Sequence, residues 1–129
     1  MQPKQIKNKK EIKLSNLDNV QLLKLILDLY DNKKYKEVIK LSKKINLKTS
    51  DQFWVYHLRG LSHLNSRDYN NAINEFKKSL KVLPESANSH LLLGICFHKK
   101  QNFENAESYY ISASLKKDNY VEAFFNLAN

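Results

Sequence analysis

FWVYHLRGLSHLNSRDYNNAINEFKKSLKVLP, residues 53–84, holds one complete helical hairpin, and the flanking chain repeats it. A shift of 34 residues, with no gaps, sets Gly60 on Gly94, Ala72 on Ala106 and Phe76 on Tyr110, and sets Tyr69 on both Tyr35 and Phe103. A period of this length marks stacked helix pairs, each burying the apolar face of its neighbour. Each column has a physical reason. Gly60 and Gly94 fall mid-helix, where glycine costs about 0.5–1 kcal/mol against alanine, so close approach of a second helix must compensate. Ala72 and Ala106 are the small partners on the second helix. Phe76 and Tyr110, four residues on, share their face. Asn65 to Asp68 and Lys99 to Asn102 carry turn and cap residues between apolar runs, and Pro84 stops the second helix.

These residues resemble the tetratricopeptide repeat family, whose pattern is an aromatic, leucine-glycine and tyrosine on the first helix, then alanine, an aromatic, alanine and proline. In residues 53–86, Tyr56, Gly60, Tyr69, Ala72, Phe76 and Pro84 stand in the pattern, with Arg59 for the leucine and His63 for the tyrosine. In 87–120, Leu93, Gly94, Phe97, Phe103, Ala106, Tyr110 and Ala113 match, while His90 and Asp118 replace the aromatic and the proline. Residues 19–52 form a degenerate copy: Tyr35 and Val38 fit, Ile26 replaces the glycine and Ser42 the aromatic. Residues 121–129 begin a fourth. The resemblance implies an all-α, right-handed superhelical solenoid of antiparallel helix pairs over residues 15–129.

Helices are expected at about 19–30, 34–45, 51–64, 69–82, 87–99 and 103–116. Asp18 with Gln21, Ser86, Asn102, and Asn119 with Glu122 serve as caps, and Leu47 to Ser50 as a loop. Met1 to Leu14 lacks periodicity and is expected to be a mobile basic leader. The longest apolar stretch, Leu22 to Tyr30, is broken by Lys24 and Asp28, so a membrane span is not expected.

The net charge of +9 is concentrated at one end. Residues 1–50 carry 13 lysines against five acids, and 51–129 carry nine basic against eight acidic groups. Lys36, Lys40, Lys43 and Lys44 follow helical spacing on the outer side of the degenerate repeat and read as a solvated face. Only Arg59 and Arg67 among 22 basic residues are arginine, so bidentate phosphate or base recognition, and with it sequence-specific nucleic-acid binding, is not expected.

The sequence offers no catalytic or metal set and calls for no cofactor. His57 and His63 are six residues apart, and His90 and His98 eight apart, neither matching a helical metal face. Cys96, in an apolar run, reads as a small buried hydrophobe. A single cysteine is compatible with a reducing, cytoplasmic setting. The resemblance implies a non-catalytic protein-interaction scaffold that takes a partner peptide or helix in its concave groove. Trp54, His57, Leu61, Leu64, Asn88, Leu91, Ile95, His98, Asn126 and Asn129 are the groove residues, with Leu23 and Leu27 beside them. The carboxylate clamp of the chaperone-binding members is missing, because its places hold Leu23, Leu27, Leu58, Asn88 and Leu92. Another branch carries groove asparagines ahead of a sugar-transferring domain. Asn126 and Asn129 resemble the start of that ladder, and make a recruiting arm of a larger transferase the alternative. The chain stops nine residues into the fourth repeat, leaving Phe124, Phe125 and Leu127 without a second helix. Continuation of the natural chain, pairing of two copies through this end, or fraying are the expected outcomes, in that order.

Overall fold

A computed structural model describes residues 18–45 and 51–116. Six helices follow in order: α1 Asn19–Asp31, α2 Tyr35–Lys43, α3 Asp51–Asn65, α4 Tyr69–Val82, α5 Ala87–Lys99 and α6 Phe103–Ser114. Each packs against the next in the chain, and α1 also packs against α3, so the three hairpins stack into an all-α solenoid. The leader, the Leu47 to Ser50 loop, the Asn119 cap and residues 121–129 lie outside the described residues.

The starts and stops of the helices are written in side chains. Asp18 accepts from the Gln21 amide at 2.8 Å while the Gln21 side chain accepts from the Asp18 amide at 3.0 Å, a reciprocal capping box on α1. Asp68, Ser86 and Asn102 each accept from the amide three residues on, starting α4, α5 and α6. The hairpin turns show a feature that the residue types do not announce. Lys33, Arg67 and Gln101, spaced by 34, all have φ between 60 and 64°. At each, the following amide donates five residues back: Lys34 to Leu29 at 2.8 Å, Asp68 to His63 at 2.8 Å and Asn102 to Phe97 at 2.9 Å. This is the Schellman closure, usually built on glycine and here held by three long polar side chains.

Inside the second and third hairpins the glycines create a notch for a ring. A methyl group at Gly60 would stand 2.6 Å from the Phe76 ring, and one at Gly94 would stand 2.5 Å from the Tyr110 ring. Phe76 is fully buried and Tyr110 is 5% exposed. In the first hairpin the sizes are exchanged. Ile26 occupies the glycine column and Ser42 the aromatic column, and both are fully buried. The Ser42 hydroxyl donates to the Ile39 carbonyl at 3.0 Å, so the serine brings no unpaired donor into the core. The degenerate repeat is thus a complementary swap of volume, with Ile26 packed among Val38 and Leu58.

Between hairpins, Ala72, Ile73 and Phe76 of α4 meet Leu93 and Cys96 of α5 in one buried cluster. Cys96 is fully buried, as its apolar surroundings imply, and burial pushes its thiol up to about 12. Glu75 of α4 is a buried charge, 7% exposed, with Arg59 and Lys78 both 3.4 Å away. Arg59, in the family's leucine position, also lies over the Tyr56 ring.

Two of the expected groove residues belong to the core instead. His57 is 9% exposed, with its ring stacked on Phe53 and edge-on to Phe76, so it has turned into the hairpin. Leu91 is 5% exposed and packs with Ala106, Tyr110 and Ala113. Burial pushes the His57 imidazole down to about 4, and its Nδ1 has no hydrogen-bond partner.

Three outcomes are expected. Gly60→Ala or Gly94→Ala gains up to ~1 kcal/mol of helix propensity but forces a ring out of its place at a cost of roughly 1–3 kcal/mol, so chemical denaturation shows net destabilisation. Gln101→Val lowers stability by about 1 kcal/mol or more, because a β-branched residue resists positive φ, while Gln101→Gly leaves it unchanged or higher. His57 is protonated more readily unfolded than folded, so its contribution is present above pH 6.5 and is lost as pH falls towards 4. The full effect is on the order of 3 kcal/mol, and His57→Phe flattens stability against pH across that window.

Candidate functional site

The first turns of α1 and α3 place Val20 and Trp54 in the same column of the repeat, one period apart, and both point outward at 61% and 53% exposure. Large apolar side chains left open at the same level of neighbouring helices define a groove rather than scattered surface residues. Leu23 and Leu27 follow Val20 at helical spacing on α1, and Leu58 follows Trp54 on α3. Together with Lys24 these side chains line a groove of about 340 Å³. Leu58, 4% exposed, forms its base and is also part of the α1–α2–α3 core cluster. Leu27, at 45% exposure, stands with Val20 and Trp54 at the rim.

The groove is apolar, and among the described residues Lys24 is the one charged side chain in its lining. At the far end of α1, the Tyr30 hydroxyl accepts from Asn65 Nδ2 at 3.1 Å, and the same amide group donates to the Leu61 carbonyl at 2.8 Å. That bridge fixes the spacing of α1 and α3 away from the open end. Three clamp positions of the resemblance, Leu23, Leu27 and Leu58, lie in this groove, so leucines stand where the chaperone-binding members carry polar groups.

Of the residues expected at the groove, Trp54 lines it, and Leu23 and Leu27 join it from α1. Leu61, Leu64 and Ile95 are half-buried against the core clusters. Asn88 and His98 are exposed on α5, and the His98 ring meets Phe103 edge-on at 5.3 Å. His57 and Leu91 are buried, as described above. Asn126 and Asn129 lie outside the described residues. Val20 and Lys24 complete the lining without having been expected there, and Leu58 enters it from one of the clamp places. The 34-residue register, carried from Trp54 back to Val20, is the signal that would have found the first of them. Among the described residues, no group of three or more His, Cys, Asp or Glu could hold a metal ion, and no helix is long and apolar enough to cross a membrane.

A family model described as tetratricopeptide repeat matches residues 55–85. A search of curated proteins finds no match. Among solved structures, the chain is similar to the Hsp90 co-chaperone Cns1 from Saccharomyces cerevisiae (delta69), with a TM-score of 0.77 and 20% identity over 85% of this chain and 36% of that one. It is similar also to MamA, with a TM-score of 0.79 and 18% identity over 92% of this chain and 70% of the other. At these identities the likeness speaks to the fold, and the chain spans little more than a third of the yeast protein's chain. A tetratricopeptide repeat is matched at residues 55–85, its columns recur every 34 residues, and the three stacked hairpins built from them give the chain the all-α fold of tetratricopeptide repeat solenoids.

Proposed function

We propose that this chain is a non-catalytic, cytoplasmic adaptor that captures a bulky apolar anchor of a partner peptide or helix in the groove between α1 and α3. The observation that carries the reading is the open wall of Val20, Leu27 and Trp54 over the buried Leu58. Repeat scaffolds of this family work by protein interaction, and a half-exposed tryptophan beside a leucine-lined hollow is the arrangement that dominates such contacts energetically. The groove lies within the size range of sites that enclose a small ligand or an anchor side chain. The free, buried thiol of Cys96 supports a reducing setting. Scarcity of arginine supports a protein partner over specific nucleic-acid readout.

Selection of short peptides from a random display library on the purified chain tests this. Enriched peptides are expected to carry Leu, Phe or Trp anchors. Trp54→Ala combined with Leu27→Ser is expected to weaken them by about 2 kcal/mol or more, some thirtyfold, with helicity unchanged. Peptides that bind this variant as tightly as the parent chain overturn the groove as the site of capture.

A further inference from the structure

The hairpin between Asp31 and Lys44 carries six lysines, Lys33, Lys34, Lys36, Lys40, Lys43 and Lys44, against the two acids Asp31 and Glu37. All six are exposed, and among the described residues none of them takes part in an ion pair. Lys36, Lys40 and Lys43 share one face of α2, with Lys44 at its C-cap and Lys33 and Lys34 in the turn before it. Glu37 sits about 100° round the helix from Lys36, at the edge of that face and about two turns before Lys44.

The other two hairpins act as an internal control on what the fold requires. One period on, the places of Lys36, Lys40 and Lys44 are taken by Asn70, Asn74 and Lys78, and two periods on by Glu104, Ser108 and Ser112. Lys43 corresponds to Lys77 and then to Ile111. These columns are solvent-facing or nearly so in every hairpin, yet only the first fills all of them with one sign. Packing and solubility of the repeat therefore do not demand the lysines. Holding several like charges together costs self-repulsion that a partner of opposite sign would relieve.

We propose that this lysine face of α2 is a docking surface for an acidic polypeptide segment, a run of about four to six Asp and Glu residues. From Lys36 to Lys44 the ridge spans about 12 Å at 1.5 Å per residue. An extended chain at about 3.3 Å per residue lays some four residues along it, about two of whose side chains face the ridge directly while the flanking carboxylates lie within reach of the long, flexible lysine arms. A nucleic acid fits less well. The face presents no open aromatic on which a base could stack, since Tyr35 is half-buried against Tyr30, and it has no arginine fork for phosphate. The surface is independent of the groove, which uses α1 and α3.

The test is fluorescence anisotropy of a labelled hexaglutamate peptide with the full 129-residue chain at low ionic strength, where charge attraction is least screened. The Lys36→Glu, Lys40→Glu, Lys43→Glu variant is expected to weaken binding at least tenfold, and the corresponding Lys→Gln variant severalfold. The control Lys77→Glu, Lys81→Glu, Lys99→Glu, with the same change of charge, is expected to stay within about twofold. Equal losses in the two Glu triples, or none in the α2 triple, overturn the proposal by assigning the attraction to net charge or to the N-terminal lysines. Tighter binding of an oligothymidylate of equal charge than of hexaglutamate overturns the choice of occupant.

Discussion

The structure depends on one steric interlock, a ring seated in a helix where the facing residue has no side chain. Phe76 in the Gly60 notch and Tyr110 in the Gly94 notch set how closely the two helices of a hairpin approach. That approach fixes where Leu93 and Cys96 of the next hairpin find their partners. Helix propensity argues against both glycines and packing argues for them. Packing prevails because the alternative is overlap with a buried ring rather than a modest entropic gain.

The first hairpin reaches a closed core by the opposite assignment, Ile26 on the first helix and Ser42 on the second. On its first helix Val20 and Leu27 remain open. The groove lies where α1 and α3 touch directly and leave a hollow in their N-terminal halves. Two levels of structure meet there: the interlock sets the hairpin, and the hairpins' offset sets the hollow.

Much of this was legible in the residues. The 34-residue register together with the caps located all six helices, because Asp18, Ser86 and Asn102 sit where apolar periodicity begins. The inner and outer faces were less legible. His57 shares a column with Leu23 and is among the groove residues expected from the repeat pattern, but the pattern does not tell which neighbour a ring will stack on. Phe53 and Phe76 drew it inward at the expense of an unpaired Nδ1. Leu91 followed the same column into the core. The left-handed turns at Lys33, Arg67 and Gln101 were hidden because nothing in a lysine, arginine or glutamine signals positive φ; only their recurrence does. Val20 and Lys24 were missed for a different reason, since a groove between two repeats is visible only when both are aligned.

The exchanged volumes of the first hairpin bear on how such a chain can be duplicated and recombined. A crossover within a hairpin, joining the first helix of one repeat to the second helix of another, would set Ile26 against an aromatic or a glycine against Ser42. The first product is overfilled and the second hollow. A crossover in the loop between hairpins carries both members of the pair together and leaves each interior filled. The first hairpin therefore exchanges without loss only as a whole, whereas the second and third, which share the glycine–aromatic pair, could trade single helices. A repeat that looks decayed when its two helices are judged column by column can be an intact unit with its own matched pair.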